Sequence, residues 1–206
     1  MKLAVLVSGS GTILEAILET GLSVTAVLAD RQCRGLEVAS QAGIEAILVN
    51  RVDHGGFGSS FDRDSYTRAV TEVLVDRGID LIAMAGFGTV LTEPIHEAFE
   101  LRILNTHPAL LPAFPGWHGV EDALAAGARV TGCTVHLATL EMDAGPILAQ
   151  AEVPVFDDDD ADSLHERIKA VERVLYPSTI ALAREALAEG RAIETIRNKA
   201  MKERMP

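Results

Sequence analysis

Three groups of residues in this chain could do chemistry. The first is Asn105-Thr106-His107, which closes a short apolar run and is followed by Pro108, Pro112, Pro115 and Gly116. Side chains on a strand alternate, so Asn105 and His107 face the same way. The proline after His107 keeps that residue extended. An amide able to donate to a developing oxyanion thus stands beside an imidazole able to move protons near neutral pH. The second is Asp143, in the loop Glu141-Met142-Asp143-Ala144-Gly145-Pro146. Taken alone, such an acid is a turn former. Taken with His107, it is a carboxylate that favours the charged imidazole and fixes its orientation. The third is Gly9-Ser10-Gly11-Thr12, between a strand and a helix, where backbone N–H groups suit an anion. The dinucleotide fingerprint G-x-G-x-x-G is incomplete there, because Leu14 holds the third glycine position, and a phosphate monoester fits better. Asp30 stands where that fingerprint places a ribose-binding acid, which keeps a dinucleotide oxidoreductase as a rival. His118 and His136 read as structural. Lys169 and Glu172, at i and i+3, read as an ordinary surface ion pair.

These residues need a rigid frame, and the hydrophobic pattern supplies one. Residues 3–7 are a continuous apolar run, as in a strand buried on both faces. A helix from Ile13 to Gly21, a strand over 24–29, a helix over 35–42 and a strand over 46–49 follow. This β-α-β-α-β order implies a parallel sheet with right-handed crossovers. Residues 50–62 form a Gly-rich polar loop, the segment of the first half expected to be most mobile. An amphipathic helix over 64–77, a strand over 79–85 and a short helix over 91–99 lead to the strand that carries Asn105. Beyond it come a helix over 118–126, a half-exposed strand over 130–138 and a strand over 147–155. The last two are antiparallel, since their connection is too short for a crossover. Asp157–Asp160 precedes a long helix over 163–189, with Ser163-x-x-Glu166 as its capping box. The fold expected is α/β: a Rossmann-like, mostly parallel twisted sheet of about seven strands, with helices on both faces and an antiparallel strand in the C-terminal half. One domain is expected over 1–190, with a nucleotide-binding half (1–100) and a catalytic half (101–190). A mixed-charge tail over 191–206 is expected to be partly disordered.

Composition narrows the function classes. The chain has 206 residues, 48% of them hydrophobic, and a formal net charge of -12. Such a surface repels phosphate backbones, so nucleic acid is not an expected partner. No apolar run reaches the ~20 residues of a membrane span, and no signal peptide opens the chain, so a cytoplasmic protein is expected. Cys33 and Cys133 stand far apart without a C-x-x-C partner, which argues against zinc or a disulfide framework.

In these residues and their order the chain resembles the glycinamide ribonucleotide transformylases of the folate-dependent formyltransferase family. The resemblance runs from Lys2 to about Ala188. It is carried by residues 5–12, Ala85-Gly86-Phe87, 103–116, Thr131–His136, Asp143-x-Gly145-Pro146-Ile147 and Leu164-x-x-Arg167-Ile168-Lys169-x-x-Glu172. It implies formyl transfer from 10-formyltetrahydrofolate, as co-substrate, to the amine of glycinamide ribonucleotide in purine biosynthesis. By the resemblance no metal is expected to be required, and the choice between monomer and homodimer stays open. By the same resemblance, Asn105, His107 and Asp143 are catalytic. Gly11, Thr12 and Ile13 hold the ribonucleotide phosphate through backbone amides, Lys169 assists, and Glu172 takes the ribose hydroxyls. Arg63, Gly88, Thr89, Val90 and Leu91 lie along the folate, as do Asn105, Thr139, Leu140 and Glu141. Two positions depart from the family pattern. Ile13 replaces the usual Asn, leaving only its backbone amide, and Gly88-Thr89 replaces the common Met-Arg, which thins the folate contacts there. Rivals within the family are a formyltetrahydrofolate hydrolase, which normally carries an additional N-terminal domain, and methionyl-tRNA formyltransferase, which wants a basic C-terminal domain.

Overall fold

The computed structural model describes residues 1–196. Seven strands form one sheet in the order β3-β2-β1-β4-β5-β6-β7, the α/β, Rossmann-like architecture expected. The chain divides into two compact units, Met1–Leu104 and the remainder from Asn105.

The first unit contains β1 (Leu3–Val7), α1 (Thr12–Glu19), β2 (Ala26–Ala29), α2 (Arg34–Gln41), β3 (Glu45–Leu48), α3 (Arg63–Asp76), β4 (Leu81–Met84) and α4 (Glu93–Ala98). Strand β1 pairs in parallel with β2 (Val5 opposite Val27) and with β4 (Ala4 opposite Ile82). All five residues of β1 and all four of β2 are buried, as the apolar runs required. Strand β3 pairs only with β2 in the sheet order, and its residues are largely exposed, as an edge strand allows. A 3-10 turn over Arg51–His54 gives part of the 50–62 loop regular structure.

The second unit takes over within β5 (Ile103–His107) and adds α5 (Gly119–Ala125), β6 (Val130–Leu137), β7 (Ile147–Pro154) and α6 (Ala161–Ala188). Strands β6 and β7 are antiparallel, with Thr134 opposite Gln150, and the register slips between Val135 and His136. The expected half-exposure of β6 is corrected: every residue from Thr131 to Leu137 is buried. The alternation of Thr and His with apolar residues reflects polar groups that are buried rather than wet, Thr134 and His136 with hydrogen-bond partners. The start of α6 also differs from expectation. Asp160 is the N-cap and Ser163 is the partner three residues on, each side chain bonding the other's backbone N–H. In the tail, Ile193 and Ile196 are buried beside a 3-10 turn over Ile193–Thr195, so ordered packing extends past Gly190. The rest of the expected tail, 197–206, lies outside the described residues.

Candidate functional site

The last three residues of β5 split between two faces. Thr106 turns to one face, where its hydroxyl meets the Cys133 thiol at 3.3 Å and bonds the Glu172 carboxyl of α6. Asn105 and His107 turn to the other, as strand alternation required. His107 is only 4% exposed. Its Nε2 lies 2.7 Å from the Phe114 carbonyl oxygen, which can only accept, so Nε2 carries a hydrogen. Its Nδ1 faces Asp143 Oδ2 at 3.4 Å. Asp143 is held from a second direction by the Gly116 N–H, which donates to the same oxygen at 2.8 Å. Burial works against the Asp143 charge, but the Gly116 N–H and the His107 ring help hold its carboxyl below the usual range. Asp143 adopts φ 56, a left-handed conformation that Asp tolerates better than most residues. The structure thus brings together the three residues expected to be catalytic.

It also adds His136, whose role the sequence pattern hid. His136 Nδ1 lies 3.0 Å from the Leu137 carbonyl oxygen, and Nε2 lies 3.1 Å from Asn105 Nδ2. These two shorter contacts assign the ring: Nδ1–H donates to the carbonyl, and the Nε2 lone pair accepts one Asn105 N–H. Asp143 Oδ1, at 3.5 Å from Nε2, lies beyond an ordinary hydrogen bond. The second N–H of Asn105 is then the donor left for a reacting oxygen. The only sequence signal for this was His136 lying on a strand near the Asp143 loop, and the register slip at Val135/His136 that aims it is not readable from composition.

The Pro-rich segment after His107 is clamped rather than merely stiff. Thr134 Oγ1 donates to the Ala109 carbonyl at 2.6 Å and accepts from the Leu111 N–H at 3.0 Å. Gln150 Nε2 donates to both Thr134 Oγ1 and the Leu111 carbonyl, at 3.0 and 2.8 Å. Gly119 is needed at its position: a Cβ there would stand 3.0 Å from His107 Nε2 and 3.0 Å from the Phe114 oxygen. Neither Thr134, Gln150 nor Gly119 stood out in the sequence.

Glu172 and Lys169 do not form the surface pair expected of them. Lys169 Nζ bonds Glu166 at 2.9 Å instead. Glu172 is half-buried, and burial pushes its carboxyl up to about 7 against the opposing effects of Thr106, Lys169 and Arg173. Thr139 donates to the Glu141 carbonyl, while Leu140 is exposed.

In the first unit, Gly11 caps α1 at φ 73, and no side chain caps that N-terminus. The first-turn amides, those of Thr12 and Ile13 included, are therefore not taken by a side-chain cap. A Cβ on Gly11 would meet the Gly35 Cα at 2.9 Å, so the turn is closed tightly against α2. The Ile13 side chain is buried, leaving its backbone amide as the group on offer. Arg63 is exposed at the start of α3, Val90 is half-buried and Leu91 is buried. Thr89 is 2% exposed and its hydroxyl is engaged by Asp30 and Arg51, so its side chain faces inward. The Gly88 N–H is taken by Ser8 Oγ. Asp30 is fully buried and gripped by Arg31 and Thr89, which removes the ribose-binding acid a dinucleotide site needs. Among the described residues, no group of three or more His, Cys, Asp or Glu could hold a metal ion, and no helix is long and apolar enough to cross a membrane.

The formyl transferase family matches over residues 1–180. Phosphoribosylglycinamide formyltransferase of Mycobacterium tuberculosis is 45% identical over 185 residues, covering 87% of this chain and 83% of that protein. The trifunctional purine biosynthetic protein adenosine-3 of Gallus gallus is 40% identical over 186 residues, covering 88% of this chain and 18% of the larger protein. The crystal structure of glycinamide ribonucleotide transformylase 1 from Symbiobacterium toebii superposes with a TM-score of 0.82 at 40% identity, over 93% of this chain and 89% of that one.

Proposed function

Because this chain belongs to the formyl transferase family, we propose that Asn105, His107 and Asp143 carry formyl transfer to the amine of glycinamide ribonucleotide. The chain is an enzyme of purine biosynthesis, a formyltransferase that uses a formyl-folate as co-substrate. The donor is 10-formyltetrahydrofolate. The substrate's amine attacks the formyl carbon, so the protein supplies no nucleophile. The negative charge then grows on the formyl oxygen. The free N–H of Asn105, oriented by His136, donates to it. His107 Nε2 exchanges the Phe114 carbonyl for the same oxygen, and Asp143 balances the imidazolium through Nδ1. A proton then passes from the attacking amine to the departing N10, and the C–N10 bond breaks to release tetrahydrofolate.

Around this centre, the amides of Gly11, Thr12 and Ile13 hold the ribonucleotide phosphate with help from Lys169, and Glu172 accepts from the ribose hydroxyls. Arg63, the backbone of residues 88–91 and residues 139–141 line the folate. The observation that carries this reading is the array of Asn105, His136, His107 and Asp143, with both histidines buried, in which one amide N–H is left free. The test is to follow loss of the formyl group from 10-formyltetrahydrofolate with and without glycinamide ribonucleotide. Loss that depends strictly on the ribonucleotide supports transfer. Equal loss without it points to the hydrolase instead.

A further inference from the structure

The turn between β1 and α1 has glycine at positions 9 and 11 and an exposed Ser10 between them. Peptides flanked by glycine flip easily, so the turn's own residues do not fix which way its amides point. Two residues at the start of α2 fix them. The Gly35 N–H donates to the Gly9 carbonyl at 3.1 Å. Arg34 Nη1 donates to the next carbonyl, that of Ser10, at 2.6 Å. In a planar trans peptide the C=O and the N–H that follows it point in opposite directions. Drawing the Gly9 and Ser10 carbonyls toward α2 therefore turns the Ser10 and Gly11 N–H groups away from it. Among the described residues neither of these N–H groups has an acceptor.

Arg34 reaches the Ser10 carbonyl because α2 packs tightly on the turn. A Cβ on Gly11 would stand 2.9 Å from the Gly35 Cα, and a Cβ on Gly35 would stand 2.7 Å from Val7 Cγ2. The guanidinium is held from a second side. Its Nη1 and Nη2 donate to the Glu15 carboxylate at 3.2 and 2.5 Å. Glu15 in turn donates its backbone N–H to the Gly11 carbonyl at 2.9 Å. Arg34, the Ser10-Gly11 peptide and Glu15 thus close a ring around the turn. The two charged side chains are 52% and 37% exposed, so their pairing adds little to stability. What the ring fixes is the direction of one peptide. The Ile13 side chain is buried and leaves only its amide to a ligand, so the grip of this turn depends on how its backbone is aimed.

We propose that Arg34, braced by Glu15, is a positioning residue for the substrate phosphate, acting through the Ser10 carbonyl to aim the Gly11 amide. This rests on the reading of the turn as the ribonucleotide phosphate site. The effect of Arg34 is confined to the phosphate end of the substrate.

The test compares glycinamide ribonucleotide with the phosphate-free ribonucleoside as formyl acceptors. Steady-state constants are measured for the intact protein, Arg34→Ala, Arg34→Lys and Glu15→Gln. Arg34→Ala raises KM for the ribonucleotide roughly tenfold, the size of one misaimed hydrogen bond to a charged group. It leaves kcat, KM for the folate, and kcat/KM for the ribonucleoside unchanged. Arg34→Lys keeps a donor for the Ser10 carbonyl and recovers part of the loss. Glu15→Gln loosens the brace and raises the same KM. If Arg34 acted only as a nearby positive charge, removing the Glu15 charge would lower that KM instead. A second readout needs no turnover. Inorganic phosphate added to isotope-labelled protein shifts the Ser10 and Gly11 amide resonances, and Arg34→Ala weakens this titration by a similar factor. The proposal is overturned if Arg34→Ala leaves both phosphate readouts at native values, if it slows ribonucleotide and ribonucleoside equally, or if Glu15→Gln lowers KM. An intact protein that binds no phosphate and formylates both acceptors equally well refutes the phosphate reading itself, a result distinct from an unchanged Arg34→Ala. An intact protein that binds inorganic phosphate through Arg34 yet transfers no formyl group refutes the assigned reaction and leaves the positioning role standing.

Discussion

Replacing Glu172 with glutamine should change how stability depends on pH, by an amount the structure sets. An unfolded Glu releases its proton near the ordinary value of 4.5, whereas the folded Glu172 holds it up to about 7. Between those values the folded state binds more protons than the unfolded one, so the stability of the native enzyme falls as pH rises through that window. A raised carboxylate costs nothing below the unfolded value and its full penalty above the folded one. At about 1.4 kcal/mol per pH unit, the rise from 4.5 to about 7 corresponds to an upper limit of about 3.4 kcal/mol. Solvent reaches part of this half-buried carboxyl, so about 2 kcal/mol is the realistic figure. Glu172→Gln removes the titration. Urea melts of both proteins from pH 4.5 to 8.5 should show the variant gaining on the native enzyme by about 2 kcal/mol across that range, with the slope concentrated between pH 5 and 7. A stability difference that stays flat across the range would refute the reasoning, because it would mean that burial does not penalise the Glu172 charge.

The remaining predictions concern the catalytic strand and its supports. His136→Gln frees the Asn105 amide and should lower kcat roughly tenfold to a hundredfold with little change in either KM, measured at steady state. Thr134→Val removes the group that bonds Ala109, Leu111 and Gln150, and should cost roughly 2–3 kcal/mol in a urea melt as well as slowing turnover. Gly119→Ala pushes a methyl against His107 and the Phe114 carbonyl, and should cut kcat about tenfold in a protein whose far-UV spectrum is unchanged. Asp143 has a lowered pKa, so its stabilising contribution is present above the ordinary carboxylate range and is lost as pH falls through the lowered value. Asp143→Asn should flatten that acid limb of the stability profile.

Much of the fold is legible in the sequence, for identifiable physical reasons. Residues 3–7 and 26–29 have no polar residue because both faces of a parallel strand are covered, and that signal survives in one sequence. Asn105 and His107 could be paired because strand alternation is strict over two residues. Asp143 could be joined to them only through the resemblance, since nothing local says which strand its loop meets. His136 was passed over because a histidine on a strand is usually structural, and its aim depends on a register slip against β7. The half-exposure expected of β6 failed for a related reason. Thr131, Thr134 and His136 are polar, yet all are buried, and Thr134 and His136 bond the loop and amide beside them. The capping residue of α6 lies three positions before Ser163: four consecutive aspartates each offer an acceptor, and Asp160, in extended backbone, takes the role.

The most direct measurement is single-turnover formyl transfer by Asn105→Ala, His107→Ala and Asp143→Ala, with saturating 10-formyltetrahydrofolate and glycinamide ribonucleotide. Each variant is expected to fold, to bind both substrates and to lose at least roughly a hundredfold to a thousandfold in the chemical step, the size of a lost oxyanion donor. Transfer by His107→Ala at a rate near that of the native enzyme would contradict it.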